Sequence, residues 1–300
     1  MPSSTVNQPE LTADQVQRIL VKPLEQASVF LAAGPRIFDV TAAGPVRIPK
    51  LVSMGAPAWH GENELITEVD PDFGEVRLLD GVKSVKSITR FSNELARSSV
   101  VALDAALRDK MVLDVAAKID QAFIAGTGDP VGGKNTTPLG ILNYPGVQTI
   151  AGVGTPTLDD LLDAVALTYT ANVDTGRLRW MMTSRDFITL RRLKDTTGKY
   201  LLQPDATQDA VFRLLGIPVT VTNRIPIVDD PATTTVTEAL STIVLADFSQ
   251  IAVARDLAPS VRLLDQLYAD FDQQAIRVVA RYDAAPLNPA AVVLLKGVTA

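Results

Sequence analysis

The stretch that decides the fold runs from Phe91 to Leu142 and reads FSNELARSSVVALDAALRDKMVLDVAAKIDQAFIAGTGDPVGGKNTTPLGIL. From Asn93 to Ala125 it holds no Gly or Pro, the residues that most disfavour a helix interior. Val100, Leu103, Leu107, Met111, Val115, Ile119 and Phe123 recur at steps of three and four, an apolar stripe along one helix face. Asp104–Arg108 and Asp114–Lys118 are acid-before-base pairs at i,i+4, the orientation that supports a helix. Such a helix is roughly 40–50 Å long, more than an ordinary small domain needs. The pattern predicts a strut, ended by the glycine-rich turn Gly126-Thr127-Gly128-Asp129-Pro130.

Outside the strut, composition bounds the problem. The 300 residues allow one large domain or two intimate ones, and 47 % apolar residues supply ample core. Aromatics make up only 5 %, so that core is built from Val, Leu, Ile and Ala. The chain has no cysteine, which excludes disulfides, thiol catalysis and zinc–thiolate sites. No apolar run approaches the ~18 residues of a membrane span, and the N-terminus lacks the basic start and apolar segment of a secretory signal. A soluble, cytosolic protein with no membrane partner is expected. The net charge of −6 and the lack of a Lys/Arg-rich tail argue against gripping nucleic acid through its phosphates. DNA near this chain would be confined, not gripped.

Residues 1–49 read as an N-terminal arm. Thr12 caps a predicted helix over Ala13–Ala32, kinked at Pro23, in which Val16, Ile19, Leu20 and Leu24 share a face; Arg36–Lys50 is β-prone. Residues 50–92 predict an extended hairpin, in which Glu75–Leu79 and Val82–Phe91 flank the turn signal Asp80-Gly81. One half carries the acids Glu62, Glu64, Glu68, Asp70, Asp72 and Glu75, the other the bases Arg77, Lys83, Lys86 and Arg90. These charges can be satisfied within the hairpin or between subunits. With Trp59, they are the candidate assembly-interface residues.

Beyond the strut, Thr157-Leu158-Asp159-Asp160 has the form of a capping box opening a helix to about Tyr169. Leu178–Met182 reads as a buried strand, and Ser184 is placed to cap a helix through Leu193. Ile217–Val221, Thr242–Ala246 and Ile251–Ala254 are further strands, with Asp229–Glu238 as an exposed loop. The interleaving marks an α/β region over 155–255. Ile276, Val278, Ala280 and Tyr282 then alternate with Arg277, Val279, Arg281 and Asp283 as a half-buried strand, and Ala290–Leu295 forms a deeper one.

The residues assemble no enzyme. Gly128-Asp-Pro-Val-Gly-Gly-Lys134 fits seven positions of a phosphate-binding loop, but Asn135 stands where the magnesium-binding hydroxyl belongs. The segment also follows a helix where a P-loop follows a strand, which favours a structural turn. His60, the one histidine, lies beside Trp59 as a surface or interface residue. The acids of 62–75 lack the spacing and central glycine of an EF-hand loop, and Arg191-Arg192-Leu-Lys194 suits a helix C-terminus. No catalytic, metal or cofactor residues are assigned.

The order of parts resembles the major capsid proteins of tailed bacteriophages, with the Hong Kong 97-type α+β fold. The resemblance rests on Phe91-Ser-Asn-Glu-Leu95, Asp120-Gln-Ala-Phe-Ile-Ala-Gly-Thr-Gly-Asp129 and Pro138-Leu-Gly-Ile-Leu142. It continues through Trp180-Met-Met-Thr-Ser184, the run from Leu190 to Leu202, Leu214-Leu-Gly-Ile-Pro-Val219, Ala246-Asp-Phe-Ser-Gln250, Phe271-Asp-Gln-Gln-Ala-Ile-Arg277 and Pro289-Ala-Ala-Val-Val293. It implies an arm (1–49), an extended hairpin loop (50–92), a peripheral domain with the spine helix (93–154), an axial α/β domain (155–255) and C-terminal strands of the peripheral domain (256–300).

It also implies pentamers and hexamers closing an icosahedral shell around double-stranded DNA, in a virion assembled in the host cytoplasm. Loop and arm would reach over neighbouring subunits, with portal and decoration proteins as possible partners. The chain starts almost directly with the arm, so a scaffolding protein would be separate. Gly61–Gly81 holds no lysine, which speaks against the hairpin cross-link some relatives form. An encapsulin-type compartment shares this fold and is the alternative; a nucleotide-binding enzyme using Lys134 is a distant third.

Overall fold

The computed structural model describes residues 28–40, 45–54, 59–63, 65, 68, 70–80, 83–98, 103–128, 130–131, 134–194, 197–200, 212–229 and 239–299. Of the helix expected over Ala13–Ala32, only the end lies among them, as the short helix α1 (Val29–Ala32) capped by Ser28. The strut appears as α2 (Asn93–Ser98) and α3 (Leu103–Ala125), residues 99–102 falling outside the described set. Met111, Val115, Ile119 and Phe123 of its stripe are buried, with Leu107 packed at the margin. Asp114 is not paired with Lys118, however. It takes Lys110 one turn earlier at 2.9 Å, while Lys118 donates to Gln121. The side chains of Asp104 and Arg108 are not among those described.

Two sheets carry the body. The larger has the order β7 (Gln148–Ile150), β15 (Val292–Val298), β12 (Ala239–Asp247), β8 (Leu178–Met182), β10 (Ile217–Val221), β9 (Arg213–Leu214), with β11 (Val228–Asp229) pairing β12. Alternation divides its central strands between two cores. Leu178, Trp180, Met182, Ile243, Leu245, Val293 and Leu295 face one way, onto α4 (Leu158–Thr170) and α5 (Ser184–Arg191). Met181, Val244, Ala246, Val292 and Leu294 face the other, into the core that α3 closes. A strand buried on both faces is apolar at every position, which is why β8 and β15 are near-continuous apolar runs. The strand expected over Ala290–Leu295 runs from Val292 to Val298 and is hydrogen-bonded to β12. It is apolar on both faces, and only an interior place in this sheet buries both.

The smaller sheet has the order β1 (Arg36–Asp39), β13 (Ile251–Tyr268), β14 (Gln273–Pro286), β4 (Ser84–Ser92). Ile276, Val278, Ala280 and Tyr282 point into the core beneath α3, as the alternation predicts. Asp39 joins β1 to Arg255 at 2.6 Å, and the guanidinium lowers the carboxyl's pKa.

The capping box at α4 is present, with Thr157 and Asp160 exchanging side-chain and backbone bonds. At α5 the cap is Thr183, not Ser184, because Thr183 accepts the Asp186 amide while Ser184 donates to Asn223. The α5 helix ends at Arg191, short of the expected Leu193. The loop expected over Asp229–Glu238 lies outside the described residues beyond Asp229.

The expected hairpin is paired differently. Strand β3 (Pro71–Leu78) pairs antiparallel with β2 (Val46–Met54), from Val46 opposite Leu78 to Met54 opposite Pro71. It does not pair with β4, which lies against β14. The hairpin therefore includes residues assigned from sequence to the arm. The Asp80-Gly81 signal marks a crossing between sheets.

The turn after α3 closes the strut. The Gly140 amide donates to Gly126 O at 2.8 Å, and Asn143 Nδ2 reaches the carbonyls of Ala125 and Gly126. These bonds satisfy acceptors that a helix end leaves open. The φ of Gly140 is −74°, open to any residue, but a Cβ there would lie 2.4 Å from Gly126 N and 2.5 Å from Ile124 O. Space alone demands glycine. The segment Gly128–Lys134, expected as a structural turn, falls at a small antiparallel pair, β5 (Pro130–Val131) with β6 (Lys134–Asn135), and among the described residues no helix follows directly as a P-loop needs.

Asp120 ties the arm to the strut. Its carboxylate accepts the Ser28 hydroxyl at 2.5 Å and the Val29 amide at 2.8 Å, so it holds the N-terminus of α1. Burial raises its pKa, against the hydrogen bonds from Ser28 and Val29, which lower it.

Two outcomes follow from these contacts. Gly140→Ala forces backbone apart and lowers stability by about 2 kcal/mol or more in urea unfolding. For Asp120, a raised carboxyl pKa contributes stability that is full below the unfolded value near 4 and fades as pH rises through the folded value. Asp120→Asn keeps an acceptor for Val29 and cannot ionise, so its stability relative to the native chain improves as pH rises from about 4 and then levels off. Asp120→Ala leaves the amide and hydroxyl unpaired and costs about 1–3 kcal/mol. Unfolding series across pH on the unassembled subunit read both variants.

Candidate assembly interface

The hairpin β2–β3 is rooted in a small cluster of its own. Val76 and Leu78 are buried against Ala252, Ala254 and Ala285 of β13 and β14, with Ile48 and Val46 at the margin. Alanine at these sheet positions leaves room for the larger hairpin side chains. The root is then locked electrostatically. Asp283, 1 % exposed, accepts Lys83 Nζ at 2.8 Å, the Leu79 amide at 2.7 Å and the Ala284 amide at 3.0 Å. Leu79 adopts φ +57°, a left-handed turn that non-glycine residues seldom take and that brings its amide to the carboxylate. Nearby, the Tyr144 hydroxyl has its pKa raised by burial first and by the Asp283 charge second.

Beyond the root the described hairpin side chains are exposed. Trp59 is 102 % exposed, Leu65 88 % and Phe73 71 %. Glu62, Glu68, Asp70 and Asp72 are exposed, as is His60 beside Trp59; Glu64 lies outside the described residues. Between positions 51 and 74 the sequence has five acids and no Lys or Arg.

The structure brings together few of the charges expected to answer one another. Glu75 meets Arg77 on its own strand and Arg47 across the hairpin at 3.8 Å. Lys83, expected opposite the hairpin acids, is spent on Asp283. Lys86 and Arg90 stand on β4, and Arg90 lies over the Tyr268 ring at 4.6 Å to its centroid. Among the described residues none of the three reaches a hairpin acid, because β4 leaves for the four-stranded sheet.

Sequence reasoning missed Arg47, Asp120 and Asp283. Arg47 could have been found had the limb pairing been known. Asp283 carried the opposite signal, since alternation put it on the outward phase of β14. Among the described residues no group of His, Asp or Glu is arranged to hold a metal, and no helix is long and apolar enough to cross a membrane.

Over 138 residues the chain is 23 % identical to the major capsid protein of Halomonas phage phiHAP-1, covering 46 % of this chain and 22 % of that protein. The chain thus spans well under half of that relative's length. Among solved structures it resembles the capsid of a native GTA particle computed with C5 symmetry, with TM-score 0.73, 19 % identity and 99 % of both chains covered. It also resembles a chain of Microbacterium phage Oxtober96, with TM-score 0.71, 16 % identity and coverage of 97 % and 98 %. A chain of Mycobacterium phage Adephagia gives TM-score 0.70, 16 % identity and coverage of 100 % and 99 %. At these identities the likeness establishes the fold, a mixed α+β arrangement shared with capsid subunits. The phage capsid family itself matches residues 11–297, nearly the whole sequence, and the chain belongs to that family.

Proposed function

We propose that this chain is a major capsid protein of the Hong Kong 97 type, forming pentamers and hexamers that close an icosahedral shell around double-stranded DNA. The observation that carries the reading is the hairpin. It presents Trp59, Leu65 and Phe73 to solvent, and among the described residues its buried side chains lie at the root. Burying one large aromatic removes about 150–250 Å², worth roughly 4–6 kcal/mol at 25 cal/mol per Å². A neighbouring subunit would supply the missing cover.

Membership of the capsid family supports a structural, non-enzymatic role. The domain assignment carried forward is the arm, extended hairpin, spine-helix and C-terminal peripheral parts, and the α/β axial part. The net charge of −6 suits a container that confines DNA without binding its sequence. Scaffolding, portal and decoration proteins are the proposed partners, and the host cytoplasm the place of assembly, before the subunits reside in the virion.

The purified chain, with a scaffolding partner if one is needed, is expected to give capsomer rings or closed shells by sedimentation and electron microscopy. A stable monomer under all such conditions sinks the proposal. With no cysteine in the chain and no lysine from Gly61 to Gly81, denaturing electrophoresis of particles is expected to give one band near 32.1 kDa. A ladder of multimers that survives boiling contradicts the non-covalent shell.

A further inference from the structure

A cavity of about 300 Å³ lies where the arm meets the end of the larger sheet, and neither the family match nor the fold likeness assigns it. The arm lines it at Ala33 and Gly34, β8 at Leu178 and Arg179, β10 at Pro218, and the end of β12 with its following turn at Asp247 and Ser249. Strand register brings these together. Arg179 pairs with Ala246 and Leu178 with Asp247, so the start of β8 and the end of β12 arrive side by side. Gly34 takes φ +98°, a left-handed conformation that glycine tolerates, and a Cβ there would meet nothing within 4 Å. The arm thus passes the cavity without filling it.

Three polar groups at this cavity lack the partners that burial demands. Asp247 is 1 % exposed, and its carboxylate has one described bond, from the Ser249 amide at 2.9 Å. Among the described residues, Ser249 Oγ is the buried side-chain polar atom left without a partner. Arg179 is half-buried and has no partner among the described residues, so it and Asp247 line one cavity without pairing. Burying a polar group unpaired costs free energy, and burying a charge costs more. Such groups in a native fold call for a ligand, an ion or water.

Water alone fits poorly. The volume corresponds to about ten molecules, each wanting two to four polar partners, whereas Ala33, Leu178 and Pro218 offer mainly carbon. A simple anion would answer Arg179 but face Asp247 with a like charge. A simple cation meets the opposite problem, and Arg177 adds a second positive charge to the lining, its described acid being the exposed Asp174 at 3.7 Å. The complementary ligand accepts from Arg179 and Ser249, donates to Asp247 and lays methylenes on the apolar wall. An acidic residue within a peptide has all three: a carboxylate, a main-chain N–H and a short methylene stem.

We infer that this cavity binds an acidic residue of a partner's peptide, its carboxylate set against Arg179 and Ser249 and its main-chain N–H against Asp247. The inference concerns the single subunit and stands apart from the shell reading. Bound there, the peptide touches Ala33 and Gly34, the joint between α1 and β1, and ties that joint to the sheet.

The test uses the full chain as the unassembled subunit, with labelled Ala and Leu methyl groups followed by NMR. The tripeptide acetyl-Gly-Glu-Gly amide is expected to give saturable shifts at Ala33 and Leu178 in the millimolar range. Its Gln analogue is expected to bind about tenfold more weakly, the loss of a charge-assisted hydrogen bond. Arg179→Met is expected to weaken the Glu peptide about tenfold or more. The same variant is expected to unfold no more readily than the native chain, because the charge it removes has no partner in the free subunit.

The inference is overturned if the Glu peptide gives no saturable shift at these methyls, which leaves a water-filled cavity, or if the Gln peptide binds equally well. It is also overturned if Arg179→Met lowers the unfolding midpoint, which makes Arg179 a structural residue. A dinucleotide phosphodiester that binds more tightly than the Glu peptide overturns it as well, since the site would then read phosphate.

Discussion

The constraint on which the molecule depends is a sheet that is apolar on both sides. Val244 and Ala246 of β12 face the core under α3, while Ile243 and Leu245 face α4 and α5; β15 divides Val292 and Leu294 from Val293 and Leu295 in the same way. Each such side chain contributes about 1.5–3 kcal/mol on burial. Concentrating them in these strands places both large cores on the two faces of one sheet. What leaves the sheet must then travel light. The hairpin β2–β3 keeps Val76 and Leu78 buried at its root and exposes Phe73, Leu65 and Trp59 toward its tip.

The root is where chemistry replaces bulk. A buried ion pair such as Lys83–Asp283 seldom stabilises more than an apolar pair of the same size, since desolvation offsets the attraction. Its contribution here is direction. The carboxylate is satisfied by one ammonium and two amides, from Leu79 and Ala284, and each donor comes at a fixed angle. Removing either charge would leave the other buried alone, a cost of about 3–5 kcal/mol. The connection from Leu79 to Lys83 is therefore tied to β14, and with it the line along which the hairpin leaves.

How much of this could be read from the residues depended on range. The stripe of α3, the Thr157–Asp160 box, the bounds of β8 and the alternation of β14 were legible, because each is set by neighbours within one or two turns or strands. Strand pairing was not. Glu75–Leu79 and Val82–Phe91 look like the limbs of one hairpin around Asp80-Gly81, yet β3 turns back to β2 and β4 pairs with β14, about 190 positions away. Local patterning fixes which face of a strand is buried but does not name its partner. Asp283 failed for a related reason. Alternation assigned it to solvent, and the hairpin root then landed on it. The acids and bases of 62–90 were legible as a set of charges, but not which of them pair within the chain. Asp114 shows the same failing within a single helix, taking Lys110 where either lysine was in reach.

The hairpin acids point to the physical problem the chain must solve. A subunit whose acidic hairpin folded back onto its own cations, such as Lys86 and Arg90 of β4, would satisfy that charge by itself. It would then be a closed monomer with nothing left to offer. The root is held at Asp283 and Ala285 of β14, which sets where the hairpin leaves the sheet. A loose root would let the hairpin find its own cations, since an intramolecular partner is favoured over a neighbour at ordinary subunit concentrations. The buried pair at the root thus has an effect that its own energy does not measure. By fixing where the hairpin cannot go, it keeps unpaired charge and exposed aromatic surface available, and in the proposed shell only another subunit can supply the partner.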